Sequence, residues 1–130
     1  MRLLLDTHIF IWWADEPERL PAPFLHALLD EENTLVLSVA SLWEMQIKAQ
    51  LGKLMMSKPL EHVVSMQQRI NELELLPVLP HHVFALDELP LHHKDPFDRM
   101  LIAQAQVEEM TLVTVDKVFR AYNVAQLTVP

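Results

Sequence analysis

Apolar residues gather in five short runs, at residues 2–5, 35–37, 75–79, 111–115 and 125–129. Within them Leu3-Leu4-Leu5, Leu35-Val36-Leu37 and Leu112-Val113 lack polar alternation, as strands do when helices cover both faces. The intervening stretches change period. Residues 39–51 carry Leu42, Trp43 and Ile47 and stop at Gly52, a natural residue just past a helix end. Residues 60–73 start beside Pro59 and repeat Val63, Met66 and Ile70, and residues 96–110 place Met100, Leu101, Ala103 and Val107 along one side. Alternating strands and helices predict an α/β protein with a doubly wound parallel sheet. No repeat, low-complexity tract or linker interrupts the pattern, so residues 1–130 read as one domain.

Composition narrows the chemistry. Half of the 130 residues are apolar (51%), enough for a sizeable core. Cysteine is absent, which removes disulfides, thiolate zinc sites and a cysteine nucleophile. Asp6 interrupts the opening Leu3-Leu4-Leu5 before a leader-like region can form, and residues 9–13 are too short to span a membrane, so a cytoplasmic protein is expected. The single glycine, Gly52, excludes a Walker loop, a dinucleotide-binding fingerprint and a nucleophile elbow, each of which needs several. A net charge of −8 argues against broad polyanion binding. Lys48, Lys53, Lys94, Arg99, Lys117 and Arg120 nevertheless fall close to the acidic residues of interest.

In open α/β sheets ligands bind beyond the carboxyl ends of the strands, where strand order reverses. Asp6 ends the first run and Asp116 the fourth; if those strands are neighbours, both carboxylates face one crevice. Asp95-Pro96 reads as a helix N-cap followed by proline at the first helical position. Asp98 falls one turn on and is expected to project into the crevice as a ligand, with Asp95 as cap and supporting group. Spacing alone makes Glu44 a surface residue, since Ser41-x-x-Glu44 is a capping-box pattern and Glu44 stands four before Lys48. Two carboxylates about 4 Å apart repel by roughly 4 kcal/mol at an effective dielectric near 20. Such a cluster needs a cation or shared protons, and hard oxygen ligands suit Mg²⁺ or Mn²⁺.

The histidine pairs His81-His82 and His92-His93 are sequence neighbours without His-x3-His spacing, so no dedicated zinc site is expected. His8 reads as a helix-start surface residue, and Trp12, Trp13 and Trp43 as core or interface aromatics rather than base-stacking platforms. The run Ile9-Phe10-Ile11-Trp12-Trp13 is too wide for one helix face to bury. With Leu42, Trp43 and Ile47 it should leave an apolar groove for a partner segment.

Four segments occur in order: Leu3-Leu4-Leu5-Asp6-Thr7-His8, Ser38-Val39-Ala40-Ser41-Leu42-Trp43-Glu44, His93-Lys94-Asp95-Pro96-Phe97-Asp98-Arg99 running on to Ala105, and Leu112-Val113-Thr114-Val115-Asp116-Lys117-Val118-Phe119. Together they resemble PIN-domain proteins, specifically the VapC-like toxin branch, over nearly the whole chain. The resemblance implies one PIN-like domain with a five-stranded parallel sheet of order 3-2-1-4-5. It maps the family's acidic quartet onto Asp6, Glu44, Asp98 and Asp116, as both catalytic and metal-holding residues. Asp95, Thr114 and Arg99 become supporting or substrate-facing groups. The implied activity is Mg²⁺- or Mn²⁺-dependent endoribonuclease hydrolysis by a toxin. The implied partners are RNA, a cognate antitoxin and a second copy of the chain as a homodimer, with no membrane.

A phosphate-receiver domain would need an acidic pair after the first strand, where only Asp6-Thr7 stands, and a haloacid-type phosphatase would need an aspartate where His8 stands. The remaining alternative is a catalytically inactive PIN-like binding module, which a complete acidic set disfavours.

Overall fold

Strand β1 (Arg2–Leu5) holds the middle of the sheet because both of its faces are apolar. Successive strand side chains point to opposite faces. Leu3 and Leu5 therefore enter one layer and Leu4 the other, and all three are fully buried. The structure, a computed structural model, describes residues 1–128. Around β1 stand β2 (Thr34–Ser38), β3 (Glu74–Leu76), β4 (Thr111–Val113) and β5 (Gln126–Leu127), in the order β3-β2-β1-β4-β5 and parallel throughout. This is the order that the resemblance implied. The outer strands are shorter than their apolar runs: Pro77, with no N–H for the ladder, follows the end of β3. Of the predicted fifth strand, Gln126 and Leu127 pair, and Val129 lies outside the described residues.

Six helices join the strands: α1 (Thr7–Asp15), α2 (Ala22–Leu29), α3 (Val39–Gln50), α4 (Leu60–Asn71), α5 (Pro80–Ala85) and α6 (Pro96–Val107), among the described residues. One layer packs Leu3, Leu5, Leu35 and Leu37 against Ile9, Phe10, Phe24, Met45, Val63 and Val64 from α1 to α4. The other packs Leu4, Val36 and Leu112 against Leu101, Ile102 and Ala105 of α6, with Phe119 and Tyr122 behind them. Each fully buried leucine or phenylalanine adds roughly 1.5–3 kcal/mol, so the central strand ends are fixed by the best-packed part of the molecule. The chain steps outward from β1 to β2 and β3, then returns to β4 on the opposite side of β1. Strand order thus reverses between β1 and β4, where Asp6 and Asp116 leave the sheet.

Two local readings need correction. Helix α3 is capped by Ser38, whose Oγ accepts the Ala40 N–H, and not by Ser41. Glu44 is therefore no capping-box residue. It lies in the second turn on the inward side and is 8% exposed. The run at residues 9–13 also buries more than its width suggested. Ile9 and Phe10 are fully inside, and Ile11, Trp12 and Trp13 pack half-buried against the same layer.

Candidate active site

Each residue of the predicted quartet is brought to the carboxyl edge of the sheet by a different element. Asp6 follows β1 directly, its N–H held by the Val113 carbonyl of β4 at 2.9 Å. Asp116 lies just past β4 and caps the short 3-10 turn Lys117–Ala121 through the Val118 N–H. Glu44 comes from α3 and Asp98 from the first turn of α6, which Asp95 caps by accepting the N–H groups of Phe97 and Asp98. Helix α6 runs back toward the start of β4, so its N-terminus, and Asp98 with it, belongs to the same edge.

Hydrogen bonds tie three of the acids into one line. Thr7 Oγ1 donates to Glu44 Oε1 at 2.8 Å, and the Thr7 N–H to Asp6 Oδ1 at 2.7 Å. Thr114 Oγ1 donates to Asp6 Oδ2 at 2.8 Å and accepts the Asp116 N–H at 3.0 Å. Glu44 Oε2 receives Lys48 at 3.1 Å, the i,i+4 pair that the spacing predicted. Thr114 thus bridges Asp6 and the Asp116 backbone, and Asp95 caps α6. Arg99 does not face the crevice: it donates to the carbonyls of Pro90 and Leu89 and to the Tyr122 hydroxyl. Sequence reasoning passed over Thr7, whose only local signal is a hydroxyl directly after a strand-end aspartate. It also passed over His93 and Tyr122, whose bond spans 29 residues.

The charges at this edge are in conflict. Burial, then the neighbouring charges of Asp95, Asp6, Glu44 and Asp116, push the Asp98 carboxyl from its ordinary 3.8 up to about 7. Burial also raises Asp6, against the opposing bonds from Thr114 and Thr7. A crevice built from hard carboxylate oxygens, with one acid too crowded to ionise readily, fits a divalent cation bound through oxygen.

A second group of ligand types, His81, His82 and Glu108, lies elsewhere, with atoms within 4.8 Å of one another. Glu108 follows the far end of α6, ten residues and so about 15 Å along the helix direction from Asp98. Its hydrogen bonds argue against a metal. His82 Nδ1 accepts the Leu79 N–H at 3.0 Å and faces the Gln104 amide nitrogen at 3.4 Å. The Gln104 orientation is set in turn by Ser38 and the Pro77 carbonyl. The imidazole proton therefore sits on Nε2 and is donated to Glu108 at 2.8 Å. A metal-bound histidine needs an acceptor, not two donors, at its other nitrogen. The cluster joins α5 to α6, and its bonds from His82 and then His81 hold the Glu108 carboxyl below the usual range.

A parallel sheet with carboxylates gathered at its switch point defines an α/β protein with an acidic strand-end site. The PIN domain profile matches residues 3–125. The chain belongs to the PIN domain family. Over 123 residues it is 28% identical to Ribonuclease VapC22 of Mycobacterium tuberculosis, covering 93% of this chain and 92% of that protein. Its fold is similar to VapBC2 of Rickettsia felis, solved bound to a promoter DNA fragment (TM-score 0.73, 22% identity, 98% of both chains), and to DNA-bound VapBC of Salmonella typhimurium (TM-score 0.68, 15% identity, 98% of both chains). No helix among the described residues is long and apolar enough to cross a membrane.

Proposed function

We propose that this protein is a divalent-metal-dependent endoribonuclease, the toxin of a toxin-antitoxin pair acting in the cytoplasm. The observation that carries the reading is the Asp98 carboxyl, pushed to about 7 first by its burial and then by the gathered charges of Asp95, Asp6, Glu44 and Asp116. An inactive binding module would have no use for that unfavourable arrangement. The 28% identity to a ribonuclease across nearly all of both chains supports RNA as substrate.

Asp6, Asp98 and Asp116 would hold Mg²⁺ or Mn²⁺, with Glu44 closing the site. When bound, the cation supplies charge against the scissile phosphate and lowers the pKa of water. The chain supplies the rest. Thr114 and Thr7 fix both Asp6 oxygens, so that carboxylate has one available orientation. Lys48 balances one Glu44 oxygen and leaves the other with Thr7. The positive end of α6 lies at the crevice, where it favours both the Asp98 carboxylate and an incoming phosphate.

An open apolar groove between α3 and α4, lined by Val39, Leu42, Trp43, Leu60 and Val64, is the surface we assign to the antitoxin. Trp43 is 63% exposed there and meets Phe97, the neighbour of Asp98, edge-on at 5.4 Å. An occupant would therefore end beside the acidic crevice. Leu42 and Trp43 of the expected groove line it, whereas residues 9–13, the rest of that expectation, are mostly absorbed by the core.

The test is cleavage of synthetic single-stranded RNAs by purified protein with Mg²⁺, Mn²⁺ or chelator. Internal cuts that vanish with chelator and in Asp98→Asn are expected. Cleavage by Asp98→Asn at the parental rate would overturn the assignment.

A further inference from the structure

The loop before α6 places His93 against the outer side of Asp98, and its ring is held from several directions. It stands edge-on to Tyr122 at 5.3 Å and to Phe119 at 6.2 Å. Its Nδ1 lies 2.6 Å from the Tyr122 hydroxyl. That hydroxyl already receives two donors, the His93 backbone N–H at 3.2 Å and Arg99 at 3.4 Å. A phenol oxygen has two acceptor positions, so its own proton goes to Nδ1. The ring proton is thereby left on Nε2.

That Nε2–H is buried and has no hydrogen-bond partner. The carboxylate facing it is Asp98, with Oδ2 at 3.4 Å, slightly beyond a good bond. A buried donor without an acceptor is costly. A small movement of Asp98 toward the ring satisfies it and selects one carboxylate orientation.

We propose that His93 is a positioning residue: its Nε2–H steers Asp98 Oδ2 and fixes the face that Asp98 presents to a divalent cation. Tyr122 sets the tautomer, and Arg99, anchored on the Leu89 and Pro90 carbonyls, holds Tyr122 in place. This gives Arg99 a use that a substrate contact does not, since its guanidinium is committed to those two carbonyls and to the Tyr122 hydroxyl. The inference rests on the acidic site proposed above and names a residue outside the quartet that shapes it.

The test measures Mn²⁺ affinity without RNA, from the free-ion paramagnetic resonance signal, in the parent, His93→Leu, His93→Gln and Tyr122→Phe. Steady-state RNA cleavage is measured alongside. Loss of a group that orients a metal ligand costs about tenfold to a hundredfold in affinity. His93→Leu should show that loss with KM for RNA unchanged, and His93→Gln, which keeps a donor near the Nε2 position, should recover most of it. Parental affinity in His93→Leu overturns the inference, as does a His93→Gln no better than His93→Leu. Should His93→Leu fail to fold, Tyr122→Phe carries the expectation, because it keeps the ring and removes the proton that fixes Nδ1; parental Mn²⁺ affinity there also overturns it. A folded parent that binds no Mn²⁺ overturns the acidic site itself and this inference with it.

Discussion

Replacing Asp98 with asparagine should stabilise the metal-free protein, the opposite of what removing a well-placed side chain does. The folded protein holds the Asp98 proton up to about pH 7, whereas an unfolded chain releases it near 3.8. Below 3.8 both states are protonated and pH has no leverage. Between the two values the folded state alone keeps the proton, so raising pH favours unfolding until the loss is complete above about 7. At about 1.36 kcal/mol per pKa unit the burden is on the order of 4 kcal/mol, a large share of a typical domain's roughly 5–15 kcal/mol. Asparagine keeps the shape and never ionises. Urea unfolding in chelator should therefore find Asp98→Asn more stable than the parent at about pH 8, with the difference closing toward about pH 4. Saturating Mn²⁺ should narrow the gap, adding about 2.7 kcal/mol to the parent at a hundredfold excess over its dissociation constant and nothing comparable to the variant. A variant no more stable than the parent at about pH 8 in chelator would refute the electrostatic argument.

Thr114→Val deletes the hydroxyl that Asp6 and the Asp116 N–H share; it should cost about 1–3 kcal/mol in urea unfolding and about tenfold to a hundredfold in cleavage rate, and parental turnover would contradict it. His82→Ala orphans the Leu79 N–H and should destabilise by about 1–3 kcal/mol with Mn²⁺ affinity unchanged, and calorimetry should find no zinc binding at His81, His82 and Glu108 in the parent. Because His82 holds Glu108 below the usual range, that pair adds stability above the unfolded carboxyl's titration and loses it as pH falls, so Glu108→Gln should flatten the acid side of the stability profile. Trp43→Ala should weaken antitoxin binding by more than about 1 kcal/mol and leave RNA cleavage by the free enzyme intact, as measured by calorimetric titration and a cleavage assay.

The interior of the fold was legible because its signals are local. Leu3-Leu4-Leu5 and Leu112-Val113 are apolar on both faces, and both lie in the central strands that the pattern predicts. The places of Asp6 and Asp116 follow from those strand ends. Helix α6 was equally clear, with Asp95 and Pro96 marking its start and Asp98 one turn inside. Glu44 was not legible from spacing, because Ser38 rather than Ser41 caps α3, which leaves Glu44 out of any capping box and in the second turn, where it meets Thr7. Helices α1 and α5 carry weak signals for different reasons. The first is apolar nearly all round, and the second, at six residues, is too short to show a period. The side-chain networks left no local trace. Thr114 meets Asp6 across 108 residues and His93 meets Tyr122 across 29, distances that only the assembled sheet closes.

The most direct test of the central claim is anomalous diffraction from crystals soaked in Mn²⁺. The account predicts a strong manganese peak bonded to carboxylate oxygens of Asp6 and Asp98, with Asp116 or Glu44 completing the set, and no peak at Glu108. A peak at His81, His82 and Glu108, or a well-ordered acidic crevice without manganese, would contradict it.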